Sequence, residues 1–347
     1  MAMTFSKERR SVTARQGTSN NRSKGQFRTR GSPALARGVL HCGHDPHAYF
    51  RENTMTTSHQ TIGYLTATVD GLSIFYREAG NPDAPTILLL HGFPSSSHMF
   101  RDLIQALADS FHLIAPDYPG FGNSDMPSLA EFTYTFDHLT DVIERFMHKK
   151  HPHRFALYVQ DFGGPVGFRL AARHPEWITA LIVQNANAYQ VGISTKLREL
   201  LQPWWDHRTP ATEAPVLELF KRPSTLFQYQ TGARDPAAMN PDAWNMDQYG
   251  LDRPGNLEIQ VELHHNYATN LARYPQWQAY FEKHQPPTLV VWGKGDPVFT
   301  VEGAEAYRTH LKNIEVHLLD TGHFALEEDH AVIAAHIRRF FADRHIR

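Results

Sequence analysis

Residues 156–166 read ALYVQDFGGPV. A run suited to a buried strand stops at one carboxylate, Asp161, and two glycines follow before a helix-compatible stretch begins. Consecutive glycines let the backbone fold tightly where side chains would clash, so the segment predicts a strand that turns sharply into a helix. A buried strand passing directly into a helix is the repeating unit of a parallel sheet covered on both faces. The turn also leaves an acidic side chain standing at the strand's carboxyl end. In open parallel sheets, ligands bind at that edge.

The rest of the chain repeats this pattern. Residues 65–69 and 72–77 flank Asp70-Gly71 and predict a hairpin. Strands are predicted at 86–90, 112–115, 154–160 and 178–183, with helices at 99–108, 136–147 and 165–173. The alternation stops near Asn185. About a hundred residues rich in Trp, Tyr and Pro follow, with helical stretches at 197–201, 216–220 and 258–271 but no strand pattern. It resumes with strands at 288–292 and 315–319 and helices at 303–311 and 331–341. The predicted fold is α/β, a mostly parallel eight-stranded sheet with helices on both faces and a helical cap inserted after strand 6. The expected division is a tail at 1–54, the first part of the core at 55–187, the cap at 188–285 and the second part of the core at 286–347.

Composition narrows the class of protein. With 347 residues, 41% hydrophobic content and a formal charge of -2, the chain reads as a globular protein with a full core and no nucleic-acid partner. Its purely apolar runs, such as 87–90 and 180–183, are far shorter than the roughly 20 residues of a membrane span. No membrane partner is expected. A single cysteine, Cys42, precludes an intramolecular disulfide and fits a reducing, cytoplasmic setting. The first 54 residues carry ten Lys and Arg against three acids, a net +7, without apolar periodicity. They read first as a disordered basic tail or as sequence upstream of a start at Met55. The second reading is a transit peptide, from their arginine and serine content.

Three more segments stand beyond strand ends. His91-Gly-Phe-Pro94 follows a strand directly, Asp296 closes Val291-Trp-Gly-Lys-Gly-Asp296, and His323 follows the last strand in Asp320-Thr-Gly-His-Phe-Ala. The order along the chain is carboxylate, carboxylate, histidine. With Asp117-Tyr-Pro-Gly-Phe-Gly-Asn-Ser-Asp125 and Val159-Gln-Asp-Phe-Gly-Gly164, these motifs run in order through residues 60–347. That stretch resembles an α/β-hydrolase of the haloalkane dehalogenase and epoxide hydrolase branch, in which an aspartate replaces the serine of the G-x-S-x-G elbow.

The resemblance implies a mechanism. Asp161 attacks an sp3 carbon, His323 activates the water that hydrolyses the resulting ester, and Asp296 orients the imidazole. A carboxylate nucleophile suits this chemistry because its product is an ester that can be hydrolysed, whereas serine would form an inert ether. The backbone N–H groups of Phe93 and Phe162 are the implied oxyanion donors. Some dehalogenases carry the acid where this chain has Asn185 and Asn187, so Asp296 takes that role here. No metal or cofactor is implied; the partners are water and a small apolar or weakly polar organic substrate.

The substrate divides the branch. Dehalogenases usually grip halide with a tryptophan after the nucleophile plus a second tryptophan or asparagine, but this chain has Phe162 and Phe93 at those places. Trp204, Trp205 and Trp244 are the candidate replacements. Epoxide hydrolases use two cap tyrosines, for which Tyr189, Tyr229, Tyr249, Tyr267, Tyr274 and Tyr280 are candidates. The family's usual late tyrosine is replaced by Ala272. The pocket expected from sequence comprises Trp204, Trp205, Tyr189, Tyr267 and Tyr274. Phe162 disfavours haloacids, which need an arginine after the nucleophile. The elbow wording Val-Gln-Asp puts haloalkane dehalogenation first, epoxide hydrolysis second and a non-catalytic binding protein of the same fold third. Ser95, Ser96 and Ser97 lie away from the elbow, against a serine esterase. His151, His153, His264 and His265 read as surface residues, His91 as a turn former, and Asp117 and Asp125 as loop-holding acids.

Overall fold

The computed structural model describes residues 61–151 and 154–347. The expectations for the basic tail lie outside the described residues, as does His153. Eight strands form one sheet: β1 (Gly63–Val69), β2 (Leu72–Ala79), β3 (Thr86–Leu90), β4 (His112–Pro116), β5 (Phe155–Gln160), β6 (Ile178–Gln184), β7 (Thr288–Gly293) and β8 (Ile314–Leu319). Their order is β1-β2-β4-β3-β5-β6-β7-β8, with β1 and β2 antiparallel to their neighbours and every other pairing parallel. The hairpin turn has positive φ at both Asp70 and Gly71, as a two-residue type I′ turn requires.

Neighbouring residues of the central strands enter different cores. Leu88, Leu90, Leu157, Val159, Leu181, Val183 and Val290 join one apolar cluster. Ile87, Leu89, Ala156, Tyr158, Ala180, Ile182 and Leu289 join the other. Side chains alternate across a strand, so two clusters mean two covered faces. This is why the strands read as continuous apolar runs.

The helices on the sheet are α1 (Arg101–Leu107), α2 (Phe136–Lys150) and α3 (Gly163–Arg173). Between β6 and β7 the described chain is helical: α4 (Thr195–Asp206), α5 (Pro210–Glu213), α6 (Arg222–Gln230), α7 (Pro241–Leu251), α8 (Asn256–Asn266) and α9 (Ala268–His284). Then come α10 (Val301–Ala306) and α11 (Leu326–Asp343). The predicted helix at 258–271 is in fact parts of two, α8 and α9, which meet at Tyr267. Helices α5, α6 and α7 escaped the periodicity. Helix α5 buries no residue, and α6 and α7 place only Tyr229, Ala243 and Trp244 in the apolar cluster that holds Tyr158 and Leu289, too few for a long apolar stripe. Among the described residues, no helix is long and apolar enough to cross a membrane.

Candidate active site

The turn after β5 holds Asp161 at φ 49°, in the left-handed region. That conformation costs an L-residue about 1–2 kcal/mol, least for Asp and Asn. Close packing enforces it. A Cβ on Gly163 would lie 2.1 Å from the Leu90 carbonyl oxygen, so only glycine lets the turn press against β3. Gly92 faces the same turn, where a Cβ would approach the Asp161 Cβ to 2.2 Å.

The Phe93 N–H donates to Asp161 Oδ1 at 2.7 Å. The N–H of Phe162, the N-cap of α3, also favours the charged carboxylate. His323 Nε2 lies 3.9 Å from Asp161 Oδ2, and His323 Nδ1 donates to Asp296 Oδ2 at 2.7 Å. Asp296 is itself anchored: its Oδ1 accepts the N–H groups of Val298 and Phe299, and its Oδ2 also accepts Asn185 Nδ2 at 2.7 Å. Asn185 therefore braces Asp296 from the end of the neighbouring strand β6. Its other amide atom accepts the Gly293 N–H, tying the ends of β6 and β7 together.

Burial sets the electrostatics. Removal from water pushes the Asp161 carboxyl up to about 6, although His323 and the two N–H donors favour its charge. Burial of His323 works against the imidazolium, but the Asp296 and Asp161 carboxylates outweigh it and hold the imidazole above its ordinary value. His91 is pulled down to about 3 by burial and stays neutral, its Nε2 accepting the Tyr118 N–H. It acts as a turn former. Asp117 accepts the N–H groups of Ser97 and Asn123, and Asp125 accepts that of Ser73, so both acids hold loops.

A cavity of about 180 Å³ opens above Asp161. Phe93, Phe162, Val298 and Phe299 from the core and Leu200, Leu219 and Phe227 from the insertion give it apolar walls. Of the residues expected in the pocket, Tyr267 lines it and the others do not. Trp204 Nε1 donates to Glu213 and Trp205 Nε1 to the His264 carbonyl, while Trp244 packs on Tyr229. Tyr189 stacks on His310, and the Tyr274 hydroxyl accepts Asn187 Nδ2 at 3.2 Å. These groups are spent on holding the insertion together. Among the other tyrosines, Tyr229 donates to Asp247 at 2.6 Å, Tyr280 packs on Phe281, and Tyr249 is exposed.

His264 corrects an expectation. It is buried rather than on the surface, and it lines the cavity between the rings of Phe93 and Phe220. Its Nδ1 donates to the Gln260 carbonyl, and burial holds it down at about 4, so Nε2 is an unprotonated acceptor. The Tyr267 hydroxyl is buried and makes no hydrogen bond of good geometry, the Tyr274 hydroxyl being its near polar neighbour. Burial and the nearby Tyr274 and Asp161 raise it well above 10, which keeps it a donor. Gln160, whose side-chain nitrogen lies 3.0 Å from His323 Nε2, was readable only as part of the elbow wording. No group of three or more potential metal ligands gathers among the described residues.

The sequence profile described as alpha/beta hydrolase fold matches residues 85–330, from β3 into α11. The chain belongs to the α/β-hydrolase fold family. An uncharacterized hydrolase of Saccharomyces cerevisiae is 40% identical over 277 residues, covering 79% of this chain and 95% of that one. A haloalkane dehalogenase of Bradyrhizobium diazoefficiens is 40% identical over 115 residues, 33% of this chain and 36% of the relative. Epoxide hydrolase 4 of Mus musculus is 27% identical over 279 residues, 77% of this α/β-hydrolase and 75% of the relative. The family thus reaches this chain with relatives of both chemistries.

Proposed function

We propose that this α/β-hydrolase opens an epoxide by attack of Asp161 on a ring carbon and then hydrolyses the ester with a water activated by His323. The wording of the elbow favours dehalogenation, whereas the lining of the cavity supports epoxide opening. The observation that carries the reading is the Tyr267 hydroxyl, a buried donor without a partner in the wall of the cavity that opens above Asp161. Ring opening leaves charge on oxygen, and a tyrosine O–H is suited to receive it. The helical insertion serves as the cap that carries this donor. Similarity to a mouse epoxide hydrolase along most of the chain supports the same chemistry.

The steps follow from the site's geometry. Asp161, steadied at Oδ1 by the Phe93 N–H, attacks carbon with Oδ2, and Tyr267 supplies a proton to the departing oxygen. Alkylation removes a carboxylate charge that helped hold His323 protonated, so more of the imidazole stands in the neutral form that can accept a proton once the ester exists. His323 then takes a proton from water, Asp296 stabilises the imidazolium, and the N–H groups of Phe93 and Phe162 receive the tetrahedral oxyanion. The products are a diol and the regenerated carboxylate, the second water proton having passed from the Asp161 carboxyl to Tyr267 to restore its hydroxyl.

A second reading, haloalkane dehalogenation, is favoured by Gln228. This buried residue of α6 lines the cavity, and its amide takes no hydrogen bond among the described residues, leaving an N–H for a halide. Diol formation and halide release, measured side by side on a panel of epoxides and haloalkanes, separate the two. Tyr267→Phe is expected to lower epoxide turnover by about 10²-fold while leaving the fold intact. Halide release with no diol from any epoxide would overturn the first reading in favour of the second.

Acid sensitivity follows from Asp161. Only the carboxylate attacks, and burial lifts its pKa to about 6, so the rate of ester formation is expected to be flat above pH 7. Below pH 6 it should fall about tenfold per unit as the nucleophile protonates. Single-turnover ester formation from pH 4.5 to 8 measures this. A limb near the ordinary carboxylate value of about 4 would show that burial does not tune the nucleophile.

A further inference from the structure

Gln160 ends β5, fully buried, and its side-chain nitrogen is 3.0 Å from His323 Nε2. Nδ1–H donates to Asp296, so whenever the imidazole is neutral its Nε2 carries a lone pair within reach of the Gln160 N–H. The other end of the amide has no such partner. Gln160 Oε1 is buried without a hydrogen bond, beside Gly92, where an added Cβ would come within 2.6 Å of it. Buried amides normally satisfy both ends. An orphaned oxygen beside the working histidine therefore points to a use that the resting state does not display.

The lone pair that accepts the Gln160 N–H is the one that must take a proton from water. Both cannot occupy it. Once Nε2 is protonated, moreover, an N–H donor would face another donor. Turning the amide half a revolution about Cγ–Cδ presents Oε1 instead, and the orphaned acceptor gains a charge-assisted partner. We propose that Gln160 is a positioning residue of the hydrolytic half-reaction, its N–H holding the neutral His323 ring and its Oε1 holding the protonated ring.

This role rests on the proposed ester mechanism and acts through His323 rather than on the substrate. In the step concerned, a water O–H bond breaks and its proton passes to His323 Nε2, while the water oxygen bonds to the ester carbon of Asp161. Collapse of the tetrahedral species breaks the bond from that carbon to the alkyl oxygen. The proton returns from Nε2 to that oxygen, and the second water proton, left on the Asp161 carboxyl, passes to the Tyr267 phenolate, so that Asp161 is again a carboxylate and Tyr267 again a donor. The carboxylates facing His323 are Asp161 and Asp296, with the rings of Phe299 and Phe324 closing other sides.

The test separates the two half-reactions by rapid quench and intact-mass spectrometry, using styrene oxide and the full chain. Gln160→Met is expected to form the ester within threefold of the native rate and to hydrolyse it at least tenfold more slowly, so that ester accumulates. Gln160→Glu, nearly the same shape, places a carboxylate against Nε2 and should move the acid limb of hydrolysis up by a pH unit or more. A variant that merely loosens packing would slow both steps and leave the limb in place. Ester cleared by Gln160→Met within twofold of the native rate, or an unmoved limb in Gln160→Glu, would overturn the role. His323→Gln is run in parallel. If it forms no ester, the ester mechanism itself fails; if it does and Gln160→Met is unimpaired, only the role of Gln160 fails.

Discussion

His323→Gln is expected to leave an enzyme that captures one substrate molecule and stops. Alkylation of Asp161 needs a carboxylate, an electrophilic carbon and a donor for the leaving atom, none of which comes from the imidazole. Hydrolysis of the ester needs the base. Turnover should fall by about 10³-fold or more, while an adduct with the mass of substrate appears stoichiometrically on the peptide containing Asp161. Glutamine is close to histidine in size and can still donate to Asp296, so the buried carboxylate keeps a partner. A native fold with no mass shift from any epoxide or haloalkane would remove the covalent mechanism.

Asp161→Asn separates stability from activity. Without the carboxylate no ester forms, and turnover should drop by about 10⁴-fold or more. Stability should move the other way. A carboxyl whose folded pKa is raised to about 6 from 3.8 destabilises the fold when charged. That cost is absent below about pH 4, grows as pH rises towards 6, and is fully present above it. Removing the charge is therefore expected to stabilise the protein by about 3 kcal/mol at pH 7 and by nothing near pH 4. Asparagine also tolerates the left-handed backbone at φ 49°. Thermal unfolding of both proteins across that pH range checks the sign. A variant less stable than the parent at pH 7 would show that Asp161 is held by favourable charge interactions, and that the site carries no strain of burial.

The strands were legible because their signals are local. The stretch 86–90 reads as a strand and forms β3 with the same bounds, since a threonine followed by four consecutive apolar residues in an alternating chain has few other uses. The turn at Asp161 was legible because two glycines follow it. The insertion was legible only as helical. Its tryptophans looked like halide donors in sequence, yet Trp204 serves Glu213 and Trp205 serves a backbone carbonyl. His264 looked like one of two adjacent surface histidines, yet the side of α8 that it occupies faces Phe93 and Phe162. In both cases residue type was readable and direction was not.

The sequence by itself determined the sheet, the sharp turn after β5 and the carboxylate standing on it, because periodicity and glycine placement act over a few residues. Tertiary structure decided which groups surround that carboxylate. Gln160 meets His323 across 163 residues, and Phe93 donates to Asp161 across 68. Tyr267 was one of six candidate tyrosines until packing left its hydroxyl without a partner in the cavity wall. Whether a polar side chain is free or already satisfied depends on every neighbour it meets. That is settled only when distant segments close on one another.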